Sequence, residues 1–216
     1  MKKLFLSLVI VYSSLFSASC QIGVRTGLNL STIFVQEMAL TRIPTYKLDY
    51  HIGIDYNHTL GKPSKGLSIN ASLVYIRKGF KQNIENDTPI GFEILNRNLT
   101  TGYIDLPVTL RYHLQDSISG VFVEGGAYGS YILNADIREI LTIENFDARD
   151  ENNDIKNQFK TFDFGFVIGA GYRFKSPWTV GVSLHSGLIN FFNQDIFDDE
   201  EKAGNRAVKL YVVYRI

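Results

Sequence analysis

From Gln21 onward, apolar and polar side chains alternate with a period of two, the spacing that puts successive residues on opposite faces of a β-strand. Eight such segments can be traced. In the first, Ile22, Val24, Thr26, Leu28 and Leu30 share one face, and Gly23, Arg25, Gly27 and Asn29 the other. The second sets Leu48, Tyr50, Ile52, Ile54 and Tyr56 against Asp49, His51, Gly53 and Asp55. The third runs from Leu67 to about Arg77, with Leu67, Ile69, Ala71, Leu73 and Tyr75 on its apolar face. The fourth alternates Ile104, Leu106, Val108, Leu110 and Tyr112 with Asp105, Pro107, Thr109, Arg111 and His113. The fifth, Val121 to Tyr131, is glycine-rich, and Glu124 assigns Val121, Val123 and Ala127 to the apolar side. The sixth has Phe162, Phe164, Phe166, Ile168, Ala170, Tyr172 and Phe174 opposite Asp163, Gly165, Gly169, Gly171 and Arg173. The seventh has Val180, Val182, Leu184 and Leu188 opposite Gly181, Ser183, His185 and Gly187. The eighth has Val208, Leu210, Val212, Tyr214 and Ile216 opposite Lys209, Tyr211 and Arg215.

The connections alternate too. Long polar links are expected around 32–46, 79–98, 134–159 and 191–205, and short ones at Gly61 to Lys65, Gln115 to Ser119 and Lys175 to Pro177. That asymmetry predicts an all-β, eight-stranded antiparallel up-and-down transmembrane β-barrel, with long loops outside, tight turns in the periplasm and both chain ends at the periplasmic side. A soluble lipocalin-like barrel with a small hydrophobic ligand remains the alternative, because it shows the same alternation with the faces reversed.

Aromatic placement favours the apolar face outward. Tyr56, Tyr112, Tyr172 and Tyr214 lie near the ends of the four descending strands, as a periplasmic-side girdle would, and Phe162 and Phe164 lie at the other end of the sixth. At ~3.3 Å per residue and a tilt of about 40°, the stretch from Phe162 to Tyr172 spans roughly 25 Å, the height of a lipid-facing band. On the polar face, Arg25, Asp49, Asp55, Asp105, Arg111, Glu124, Asp163, Arg173 and Arg215 are expected to form an ion-paired network that fills the lumen. On that reading, Arg173→Leu would strand a buried carboxylate.

Residues 1–20 are expected to be a signal peptide, and 21–216 the barrel domain. Lys2 and Lys3 supply the positive start, Leu4 to Phe16 the apolar core and Ser17-Ala18-Ser19-Cys20 the small-residue exit. Cleavage after Cys20 leaves a mature chain without cysteine, whereas acylation of Cys20 would make a lipoprotein; both readings stay open. The net charge of zero carries no basic stripe for nucleic acid.

Several segments resemble the PorT-like outer-membrane β-barrel family. They are Gly23-Val24-Arg25-Thr26-Gly27-Leu28-Asn29-Leu30-Ser31; Tyr103 to Val108 with Arg111-Tyr112; Asp163-Phe164-Gly165 with Gly169 to Phe174; and Ser186 to Asn190. The resemblance spans nearly the whole mature chain. It implies an eight-stranded barrel in the outer membrane and a founding member engaged in protein secretion.

Candidate chemistry is sparse. His51, His58, His113 and His185 have no partner at metal-ligand spacing, so no metal site is expected. Some small barrels modify lipid with a His–Ser pair, but His185 and Ser186 are consecutive and face opposite ways. The acidic stretches Asp147 to Asp154 and Asp195 to Glu201 lack the glycine of a tight calcium loop and read as solvated charge, with calcium left open. No cofactor is expected. The expectation is a non-enzymatic, monomeric outer-membrane barrel with a plugged polar lumen. Its partners would be outer-membrane lipid, lipopolysaccharide and envelope or secretion proteins.

Overall fold

The computed structural model describes residues 20–35, 45–60, 66–88, 91–114, 119–143, 146–190 and 203–216. Nine antiparallel strands occupy nearly all of them: β1 (Cys20–Val35), β2 (Thr45–Thr59), β3 (Leu67–Thr88), β4 (Gly91–His113), β5 (Gly120–Ile143), β6 (Phe146–Asp154), β7 (Phe162–Arg173), β8 (Trp178–Gly187) and β9 (Ala203–Arg215). Strands β1 and β9 pair along their length, and pairing of β4 with β5 completes a ring of all the strands but β6. Closure leaves no free edge in the membrane-spanning part, the condition for backbone amides to lie in hydrocarbon.

The alternation dictates which side faces out. Leu106 (51%) and Leu210 (59%) are exposed, while their neighbours Asp105 and Lys209 are buried. The same holds along every ring strand: Val24, Ile54, Leu73, Val123, Ile168 and Val182 project outward. So continuous an apolar surface is incompatible with water, but it matches the hydrocarbon of a bilayer. The soluble-barrel alternative needs these side chains inside, and they are outside.

The wall is uneven in height. Strands β3, β4 and β5 run 22, 23 and 24 residues, whereas β8 has 10. About 9–11 residues cross a membrane, so the long strands rise well beyond it. Two expected long links therefore prove largely regular. Most of 79–98 continues β3 and β4 as one hairpin, paired from Gly79↔Thr100 to Thr88↔Gly91. Much of 134–159 extends β5 and adds β6, which pairs only with the upper part of β5. Apolar residues such as Ile84, Ile94, Leu95, Ile140 and Leu141 are scattered there among polar ones without a strict period of two, so the backbone ladder persists after the hydrophobic alternation has faded.

At the same upper end the inward face turns apolar. Ile33, Val74, Ile76, Phe80, Leu99, Tyr103, Ile132 and Ala135 form a buried cluster, and Phe159, from the segment that returns after β6, packs into it. Backbone bonds from Ile155 N to Ala135 O (2.9 Å) and Ile132 N to Thr161 O (3.0 Å) hold that segment over the barrel mouth.

Candidate functional site

Below the apolar cluster, inward positions of the ring strands carry charge, and cross-strand contacts link them into two layers. In the lower layer Arg25 on β1 pairs with Asp55 on β2 at 3.3 Å. Asp55 accepts hydrogen bonds from Asn70 Nδ2 (2.8 Å) and Ser72 Oγ (2.9 Å) on β3. Arg111 on β4 donates to Asn70 Oδ1 (2.8 Å) and to Glu124 on β5 (2.7 Å). Glu124 also accepts from Thr109 (3.1 Å) and from the Tyr211 hydroxyl of β9 (2.9 Å). The Tyr211 ring lies 4.0 Å beneath the Arg25 guanidinium, so the chain of contacts returns to its start around the lumen wall.

The upper layer centres on Asp105, which has no exposed surface. Its carboxylate lies 3.1 Å from Lys78 Nζ and 2.8 Å from Lys209 Nζ, and accepts the Ser130 hydroxyl at 2.6 Å. Lys78 also sits 4.8 Å from the Tyr103 ring and 5.1 Å from that of Tyr128. Tyr128 donates its hydroxyl to Asp163 (3.1 Å), as does Asn205 its amide (3.0 Å). Both Asp105 oxygens are thus engaged, as a carboxylate held away from water requires.

Glycines make room for the lumenal rings. A Cβ at Gly181 would stand 2.5 Å from the Tyr211 ring, and one at Gly171 would stand 2.5 Å from that of Phe122. Gly171 and Gly181, and likewise Gly165 against the Tyr128 ring (2.5 Å), are thus seats for aromatic side chains from adjacent strands.

The predicted lumenal residues do not form one network. Arg25, Asp55, Arg111 and Glu124 come together in the lower layer, and Asp105 anchors the upper one. Asp49 sits towards the loop end, 3.7 Å from Lys47 and 3.5 Å from Arg77. Asp163 has no cationic partner within ion-pair distance among the described residues, and its Oδ1 is unbonded. Arg173 and Arg215 are buried but hold neutral oxygens, Gln21 Oε1 and Thr179 Oγ1. The expected pairing of Arg173 with a carboxylate is therefore corrected: among the described residues none is in reach. The bond to Gln21 runs from β7 across β8 and β9 to β1, a reach that a strand-by-strand reading does not show.

Lys78 lies one residue beyond the third segment, whose alternation runs only to about Arg77, so the local pattern does not assign it to the lumen. That pattern gives Lys209 and Tyr211 a face but no role. On the outer surface Tyr112, Tyr172, Tyr214, Phe162 and Phe164 are exposed, and Tyr56 is half-buried. Trp178, the chain's one tryptophan, packs edge-on against Tyr214 (4.8 Å), and Tyr131 against Phe162 (5.3 Å).

His51, His113 and His185 face the lumen, buried, and His185 lies against the Tyr128 ring at 5.2 Å. Among the described residues no three His, Cys, Asp or Glu side chains converge as a metal site. In the β5–β6 hairpin Arg138 grips Asp150 through two bonds (3.0 and 2.6 Å) and holds its carboxyl below the usual range, and Arg149 binds Glu151 (2.7 Å). The acidic stretch 195–201 lies outside the described residues, as do 1–19.

A family model described as "Outer membrane protein beta-barrel domain" matches residues 13–193. No curated protein matches the chain. Among solved structures, the chain is similar to the attachment invasion locus protein Ail of Yersinia pestis, at 10% identity and TM-score 0.47, over 92% of this chain and 99% of that one. It is also similar to OprG from Pseudomonas aeruginosa, at 10% identity and TM-score 0.42, over 93% and 97%. For the Neisserial surface protein A the values are 11% and 0.39, over 92% and 98%.

Proposed function

The chain belongs to the outer membrane protein β-barrel domain family, and from that premise we propose that it works as a non-enzymatic, non-conducting barrel whose surfaces, not its lumen, carry its function. The observation that carries this reading is the double layer of buried, mutually bonded charges. Asp105, Arg111, Lys78 and Tyr211 stand where a channel would need open water. An eight-stranded barrel encloses only enough space for its side chains, so removing water from the lumen follows from filling it with long ones.

In this reading residues 1–20 direct export and are removed, and the mature chain sits as a monomer among outer-membrane lipid and lipopolysaccharide. The two aromatic groups on the outer face, around Tyr112, Tyr172 and Tyr214 and around Phe162 and Phe164, anchor it at the two interfaces. The tall β3–β6 wall and the periplasmic turns are the surfaces offered to envelope or secretion proteins. The PorT-like motifs support the reading that it belongs to that branch of outer-membrane barrels.

Planar-bilayer recording from purified, refolded protein tests the reading. We expect no stable single-channel steps. Reproducible steps that scale with salt concentration would overturn it.

A further inference from the structure

At the short-turn end of the lumen the buried charges do not balance. Of the four arginines there, Arg25 and Arg111 each hold a carboxylate, Asp55 and Glu124. Arg173, at the end of β7, and Arg215, at the end of β9, hold only the neutral oxygens of Gln21 and Thr179. Each is 8% exposed. The Arg215 Nε has no partner, and neither ring nitrogen of the nearby strand-end His113 on β4 is bonded. No carboxylate among the described residues is within ion-pair distance of either arginine, the C-terminal group of Ile216 included.

A guanidinium removed from water without a counter-ion is costly, and its planar fork is shaped for an oxyanion. Both arginines line a cavity of about 590 Å³ at this end of the barrel. The arginines form its buried floor, while Phe174, Lys175, Pro177 and Ile216, all exposed, form its rim. The cavity is thus cationic at depth and mixed at its edge, where Phe174, Pro177 and Ile216 stand beside Ser119, Lys175 and Ser176, and it opens at the end that carries the short turns and both ends of the barrel domain.

We propose that this cavity binds an oxyanion, a carboxylate or phosphate group presented from the periplasm, between Arg173 and Arg215. The site goes beyond the non-conducting reading and does not depend on it, since the two guanidiniums would stand at the mouth of an open lumen as well. Two sources share this chemistry, a free anion and the end group of a periplasmic peptide. Phe174, Pro177 and Ile216 on the rim suit a peptide whose last side chain is apolar.

The test uses the full barrel, folded in detergent micelles and free of phosphate buffer. It is titrated by calorimetry with inorganic phosphate, with a short peptide ending in a free leucine carboxylate, and with the same peptide amidated. We expect saturable binding of at least one oxyanion probe, with at least tenfold weaker binding by R173Q/R215Q. Phosphate binding without peptide binding assigns a free anion. Binding of the free-acid peptide, with the amide at least tenfold weaker, assigns a peptide terminus. If neither probe binds, or the variant binds as well as the wild type, the site is refuted. Should the variant fail to refold, the wild-type arginine Nε–H resonances decide: a saturable shift on titration supports the site, and no shift refutes it.

Discussion

Asp105 carries the clearest residue-scale consequence. Its single carboxylate is shared by two lysines, Lys78 on the adjacent β3 and Lys209 on β9 across the ring, in a place with no access to water. Asp105→Ala leaves two ammonium groups facing each other in the lumen. Breaking a buried pair of this kind costs about 3–5 kcal/mol, and the urea midpoint of the refolded protein should fall accordingly. Arg173→Leu strands no carboxylate among the described residues and should cost less. Equal midpoints for Asp105→Ala and wild type would contradict the pairing. The face on which each charge lies was legible, because a period of two needs only a residue's immediate neighbours. The partners were not. They depend on which strands stand opposite one another across the lumen and on how far each side chain reaches, neither of which is written in the local pattern.

At the scale of the element, the strands fit one another through glycine and ring. Gly181 on β8 leaves space for Tyr211 on β9, and the Tyr211 hydroxyl then reaches Glu124 on β5. Gly181→Ala forces the ring aside, and overpacking of this kind costs about 1–3 kcal/mol. A loss in that range in a urea titration, larger than for Gly125→Ala, is expected. A Cβ at Gly125 meets nothing nearer than 4.0 Å. Equal effects would show that the ring is not seated on the glycine. All eight barrel strands were legible from alternation, including the glycine-rich fifth segment, where Glu124 fixed the phase. Two features were not. The hairpin extensions of β3–β4 and β5–β6 mix apolar and polar residues without a strict period of two to read. The upper lumenal cluster draws on the run Leu73-Val74-Tyr75-Ile76, where apolar side chains on both faces hide the inward pair Val74 and Ile76.

For the whole molecule the governing fact is inversion: apolar side chains outside, charged ones inside. In water such an arrangement would expose a continuous hydrophobic surface and bury unprofitable charge. In a bilayer the outer surface is solvated by lipid, and the charges become the core that holds the ring together. The alternation of long and short links was visible in the sequence and agrees with the tall loop side and low turn side of the barrel. The central claim is that this chain is a closed barrel embedded in the outer membrane by its apolar face. Gel mobility of the isolated outer-membrane fraction, with and without boiling, tests it most directly. The account predicts that the protein is found in that fraction and runs faster unboiled, as a compact closed barrel that resists detergent. Recovery in the soluble periplasmic fraction, with one mobility whether boiled or not, would contradict it.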